Sequence, residues 1–113
     1  MTMTWMDDYF AAWNRGDGES VTSYMVDDIV YTDVALRKRL ENKADVATFV
    51  VAANRSGVTF IPQRAFDGVD HYYVEWVMEP HGIPGVSVGT LREGKIVTNN
   101  DYWNDPRPAR AGS

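Results

Sequence analysis

The sequence predicts a single α+β domain, a cone-shaped curved antiparallel sheet with three N-terminal-half helices packed on its concave face. Two observations carry this expectation. Apolar residues recur at helical spacing in the first half of the chain, and from Val58 onward strands follow one another with short turns between them. At 113 residues, with 44% hydrophobic and 12% aromatic residues, the chain can build one core, and 24% charged residues is too few for disorder throughout.

The first helix is predicted over residues 5–15, where Trp5, Met6, Tyr9, Phe10 and Trp13 keep helical spacing. Thr4 is the candidate cap, Asp7 and Asp8 suit the first turn, and Gly16 is the stop signal. Tyr9 carries a hydroxyl that needs a partner if buried, so it either packs in the core or faces a cavity. A second short helix is expected to start after Asp17 and run through Glu19 to Met25, followed by a strand from Ile29 to Asp33. In that strand Ile29, Tyr31 and Asp33 share one face. Residues 34–40 read as irregular, and Arg37-Lys38-Arg39 reads as a solvated turn.

Asn42-Lys43-Ala44-Asp45 has the form of a capping box, and Val46, Phe49, Val50 and Ala53 make the apolar face of a third helix. Strands are predicted over 58–66 and 71–79. In the second of these Tyr72, Val74, Trp76 and Met78 all fall on one face, which must be covered. A loop over 80–85 leads into a hairpin, Val86–Leu91 and Lys95–Trp103, turning at Glu93-Gly94. Residues 1–104 form the domain. The Pro-, Ala- and Gly-rich residues 105–113 are expected to be a disordered tail.

The last strand is the unusual one. Asn99, Asn100 and Asp101 are poor strand formers set between good ones. Strict alternation puts Val97, Asn99, Asp101 and Trp103 on one face. Polar groups there either line a pocket or lie on a wet edge, because burial without hydrogen bonds costs a few kcal/mol.

Several function classes are excluded. A net charge of -5 argues against nucleic-acid binding. The chain has no cysteine and two histidines, His71 and His81, without metal-site spacing, so neither a metal nor a cofactor is expected. No apolar run is long enough for a membrane span, and a soluble cytoplasmic protein is the expectation.

The segments YFAAWNRGD (9–17), VDDIVYTD (26–33), NKADVATFV (42–50), YYVEWVM (72–78) and REGKIVTNNDYWN (92–104) resemble, in order and spacing, the nuclear transport factor 2-like superfamily. The likeness is to its SnoaL-like branch, which includes polyketide cyclases, ketosteroid isomerases and epoxide-hydrolase-type enzymes. The resemblance implies a cystatin-like α+β barrel and a homodimer paired through the open sheet face. It also implies site residues. Tyr9 matches the oxyanion-donating tyrosine of the isomerases, and Asp33 matches their base. Ser87, or a neighbour of it, falls where those enzymes carry a protonated acid, so steroid isomerisation is disfavoured. Asp101, seven residues after Gly94, matches the acid/base of the cyclases. The strand over 73–77 lacks the Arg-x-Asp of the epoxide hydrolases, which weakens that alternative.

The expected function is therefore general acid/base chemistry on a small, largely apolar, carbonyl-containing substrate, of isomerase or cyclase type. Asp101, Asp33 and Tyr9 are the candidate catalytic residues. Trp13, Trp76, Ser87, Asn99 and Trp103 are the candidate binding residues, with no basic residue expected in the cavity. The alternative is a non-catalytic apolar-ligand or dimerisation domain.

Overall fold

The structure is a computed structural model and describes residues 5–107. The elements are α1 (Trp5–Asn14), α2 (Gly18–Thr22), β1 (Met25–Asp33), β2 (Lys38–Leu40), α3 (Lys43–Arg55), β3 (Thr59–Asp67), β4 (His71–Glu79), β5 (Ile83–Arg92) and β6 (Lys95–Trp103). Six strands form one curved, unclosed sheet in the order β2-β1-β6-β5-β4-β3. The three helices pack against one of its faces, as the α+β expectation has it. The sheet is antiparallel at every pairing but one: β1 and β6, the strands furthest apart in the chain after β2 is set aside, run parallel.

Local chemistry accounts for the helix ends. Gly16 takes a left-handed φ of 71°, and Gly16 and Asp17 return hydrogen bonds to Trp13 and Ala12, closing α1 with the pattern that glycine permits. Asn42 caps α3 reciprocally: its Oδ1 accepts from the Asp45 amide at 2.8 Å, and its Nδ2 donates to the Asp45 carboxylate at 3.0 Å. Thr4, the expected cap of α1, lies outside the described residues. The β5–β6 turn has Glu93 and Gly94 both at positive φ, 52° and 78°, which suits a two-residue hairpin.

Five expectations are corrected. The second helix ends at Thr22 rather than reaching Met25, because Ile96 donates its amide to the Tyr24 carbonyl at 2.8 Å and draws the chain into β1. β1 therefore starts at Met25, not Ile29. Residues 38–40, expected to be irregular, form β2, pairing Tyr31 with Leu40 and Asp33 with Lys38. A left-handed Arg37, φ 56°, makes the turn. In β6 the register slips between Thr90/Thr98 and Leu91/Ile96, so Val97 is an extra residue. The bulge puts Ile96 rather than Val97 in the core alongside Asn99 and Asp101. Finally, β5 begins at Ile83, inside the predicted loop.

The core lies between helices and sheet. Met6, Tyr9, Phe10 and Trp13 of α1 and Val46 and Val50 of α3 meet Tyr72, Val74, Trp76 and Met78 of β4, the covered face that alternation predicts. Gly89 shows how closely this layer is fitted. A methyl group there would lie 2.3 Å from the Thr98 carbonyl and 2.5 Å from the Tyr72 ring. Because one of those neighbours is backbone, Gly89→Ala should destabilise the fold by about 1–3 kcal/mol or more, measured as a lowered midpoint of denaturant unfolding.

Candidate active site

The helices do not fill the whole hollow of the sheet. A cavity of about 500 Å³ remains, within the roughly 300–1,000 Å³ usual for small-molecule sites. Its wall is mainly aromatic and aliphatic, supplied by α1, α3 and the inner face of the sheet. The large indoles of Trp13, Trp76 and Trp103 line this space without plugging it.

Asp101 stands on that wall. It is buried and accepts three hydrogen bonds from side chains of three strands. Ser87 Oγ of β5 donates to Oδ1 at 2.6 Å, Asn99 Nδ2 of β6 donates to the same oxygen at 2.8 Å, and the Tyr31 hydroxyl of β1 donates to Oδ2. Two of the donors are held in turn. Trp76 Nε1 donates to Ser87 Oγ at 2.9 Å, and the Tyr72 hydroxyl donates to Asn99 Oδ1. No buried side-chain polar atom among the described residues is left without a partner.

Burial pushes the Asp101 carboxyl up to about 6, and the three donors, which favour the charged form, limit the rise. Asp33 lies beside it in the parallel register and adds a smaller upward push. Asp33 is itself buried on the cavity wall. Trp103 Nε1 donates to both of its oxygens, at 3.0 and 3.1 Å, and the Leu36 amide donates to Oδ1 at 3.0 Å. Burial raises its pKa too, against those donors. Tyr9 reaches the cavity from α1. Burial lifts its phenol well above the ordinary range even though the Trp13 side chain hydrogen-bonds to it, so the hydroxyl stays protonated.

Tyr9, Trp13, Asp33, Trp76, Ser87, Asp101 and Trp103 all lie on this one cavity. Asn99 does not. It sits behind Asp101, nearly inaccessible, with its amide committed to Asp101 and Tyr72. Ser87 is on the wall, but its hydrogen belongs to Asp101. Neither is free to hold a substrate oxygen. Sequence reasoning also missed Tyr31, although alternation placed it on the face of Asp33. Its neighbour in the sheet is Asn99, a pairing that local pattern does not disclose.

Contrary to the expectation of no basic residue, the cavity has three basic side chains at its edge. Lys38, His81 and Arg107, all exposed, stand where it opens to solvent. Lys38 belongs to β2 and places its ammonium 6.0 Å from the Phe49 ring centroid. Arg107 pairs with Asp105, so residues 105–107 of the expected tail lie against the opening, while residues 108–113 fall outside the described residues. Among the described residues no group of three or more His, Cys, Asp or Glu side chains is placed to hold a metal ion, and no helix is long and apolar enough to cross a membrane.

Three helices over one face of a curved, unclosed six-stranded sheet is the NTF2-like α+β arrangement. Solved structures share it. A Catenulispora acidiphila protein with a ketosteroid isomerase-like fold, in complex with trimethylamine, superposes with a TM-score of 0.79 at 16% identity, covering 92% of this chain and 88% of that one. The epoxide hydrolase/cyclase-like enzyme SalBIII, which has a role in pyran ring formation in salinomycin, gives 0.73 at 21% identity over 88% and 87%. A candidate polyketide cyclase from Sinorhizobium meliloti gives 0.74 at 17% identity over 86% and 92%. At these identities the likeness is one of fold. No curated protein is detectably similar in sequence. The SnoaL-like domain profile, however, matches residues 6–99, and the chain belongs to that family.

The raised pKa of Asp101 has a consequence for stability. A carboxyl whose folded value lies above its unfolded value, near 4, favours folding only while protonated. Its contribution is full below about pH 4 and is lost as pH rises through about 6. The loss amounts to roughly 3 kcal/mol. Asp101→Asn should remove this decline, so the stability difference between variant and parent should grow in the variant's favour from pH 4 to pH 7. Chemical denaturation of both proteins across that range measures it.

Proposed function

We propose that this protein is a small-molecule enzyme of isomerase or cyclase type, in which Asp101 moves a proton on a small, largely apolar, carbonyl-containing substrate. The observation that carries the reading is one carboxylate: Asp101, on the wall of a cavity of about 500 Å³, balanced by burial and three donors at a pKa of about 6. A base with that value is ionised at neutral pH, yet still returns its proton readily.

The apolar wall holds the substrate skeleton, and the carbonyl-adjacent C–H is presented to Asp101. The proton passes to the carboxylate as the C–H electron pair moves into the carbonyl, leaving an enolate. Tyr9, kept neutral by burial, donates to the enolate oxygen. Return of the proton to another carbon completes an isomerisation, whereas attack of the enolate carbon on a second carbonyl closes a ring. Asp33 is the second carboxylate on the same wall, held by Trp103 and the Leu36 amide.

The homodimer implied by the resemblance would use the uncovered sheet face, which presents Ile61, Phe66 and Tyr102 with 43%, 45% and 46% exposure. Sedimentation at micromolar concentration should find twice the chain mass, and Tyr102→Glu should halve it.

The catalytic reading is tested with 2-tetralone, an apolar ketone with acidic carbonyl-adjacent hydrogens. Its exchange in D2O, followed by proton NMR, should be accelerated by the protein, with a rate that rises through an apparent pKa of about 6. Asp101→Asn should lose about 100-fold or more of that acceleration. Equal exchange by parent and variant would overturn the assignment. Binding of 2-tetralone by both, without exchange by either, would favour the non-catalytic ligand carrier instead.

A further inference from the structure

The Asp101 carboxylate is bonded unevenly. Oδ1 accepts from both Ser87 Oγ and Asn99 Nδ2, at 2.6 and 2.8 Å, and this occupies its two lone pairs. Among the described residues, Oδ2 accepts from Tyr31 alone. The oxygen with a lone pair open for a substrate proton is therefore Oδ2, and its single partner is a phenol that lines the same cavity. Tyr31 has one hydroxyl hydrogen. In the resting site that hydrogen is given to Asp101.

Taking the proton on Oδ2 changes what the carboxyl asks of its neighbour. A protonated Oδ2 is a weaker acceptor, and once its new O–H turns toward the Tyr31 oxygen it becomes a donor to the phenol. The bond between the two groups then persists with its direction reversed, and the Tyr31 hydrogen is released to another acceptor. The acceptor that appears at the same moment is the substrate's enolate oxygen. On the basis of proton transfer by Asp101 as proposed above, we infer that Tyr31 is a further catalytic residue, a hydrogen-bond donor that serves Asp101 in the resting site and the oxyanion after proton transfer.

The balance is simple. The C–H bond breaks and an O–H bond forms at Asp101 Oδ2. The electron pair passes to the carbonyl oxygen, and no bond of Tyr31 is broken, because its hydrogen only swings about the C–O axis. Reversal restores the resting site when the proton leaves Asp101 for another carbon. The ring has no need to move. Trp13 and Phe49 hold it, with ring centroids 5.8 and 6.0 Å away. Burial, and then the neighbouring Asp101 charge, lift the phenol well above its ordinary value, so Tyr31 donates a hydrogen bond and does not surrender its proton. A contact made to the oxyanion only after proton transfer begins strengthens binding of the transition state over that of the ketone.

The alternative role for Tyr31 is to set the pKa of Asp101 and nothing more, and a pair of variants separates the two. Tyr31→Phe and Ser87→Ala each remove one donor from the same carboxylate, so both should raise the Asp101 pKa, read by carbon-13 NMR of the aspartate carboxyls. A stronger base exchanges faster once ionised. If Tyr31 only tunes the carboxylate, both variants will exchange 2-tetralone above pH 7 at rates that follow their pKa. The inference instead expects Tyr31→Phe alone to fall below that line, by about 10- to 100-fold in kcat with KM within about two-fold.

Two variants lying on one line would overturn it. Should the phenylalanine variant fold poorly, fluorinated tyrosines at position 31 serve in its place. A more acidic phenol should raise kcat above pH 7, and no change or a fall would overturn the inference. Failure of Asp101→Asn to slow exchange is a different result, because it removes the base itself and with it the proposed function.

Discussion

The cost of burying one carboxylate organises this site. Asp101 belongs to a wall built from indoles, phenols and aliphatic side chains, where a lone charge would be driven to neutrality. What keeps it ionisable is three donors, contributed by β1, β5 and β6. Each donor has its own support: Trp76 fixes Ser87, Tyr72 fixes Asn99, and the rings of Trp13 and Phe49 confine Tyr31. Sheet register does the placing. Asp101 faces Ser87 across β5 and Asp33 across β1, so a slip of one residue on either side would turn a donor to the opposite face.

The same network decides what is left for a ligand. The indole N–H groups of Trp76 and Trp103 are committed to Ser87 and Asp33, so these rings offer the cavity their apolar surfaces and not their donors. Recognition deep in the cavity rests on shape and on a few phenol and carboxyl groups. Among the described residues, basic side chains meet the cavity only near its opening, where Lys38, His81 and Arg107 are exposed. A ligand with an apolar body and a polar end would be matched by both parts of the wall.

Much of this was legible in the sequence, for physical reasons that differ residue by residue. Alternation along β4 identified its covered face because Tyr72, Val74, Trp76 and Met78 sit on a regular strand. The Asn42–Asp45 box and the Glu93-Gly94 turn were readable because both are local chemistry. The polar break at Asn99–Asp101 pointed to a pocket or a wet edge, and burial on the cavity wall decides the matter for Asp101. The parts that were not legible depend on partners distant in the chain. β2 has no apolar alternation and exists through its pairing with β1. The Val97 bulge exchanged Ile96 for Val97 on the buried side, which counting by twos cannot foresee. Asn99 was placed on the correct face but one layer too shallow, and Tyr31 was passed over because its importance lies in a strand 70 residues away.

The parallel pairing of β1 with β6 bears on how the site comes into being. Every other strand pair in the sheet joins neighbours along the chain, and such pairs close short loops first. The β1–β6 ladder closes the longest loop of the sheet, and it alone sets Asp33 beside Asp101 and Tyr31 within reach of the carboxylate. On a ribosome, β1 emerges early and can pair with β2 at once, but its other edge has no partner until residues 96–101 follow it. Until then no segment carries a desolvated carboxylate, and the hairpins of β3 to β6 can form without its penalty. The chain thus takes on its most costly buried group at the step that also completes the sheet.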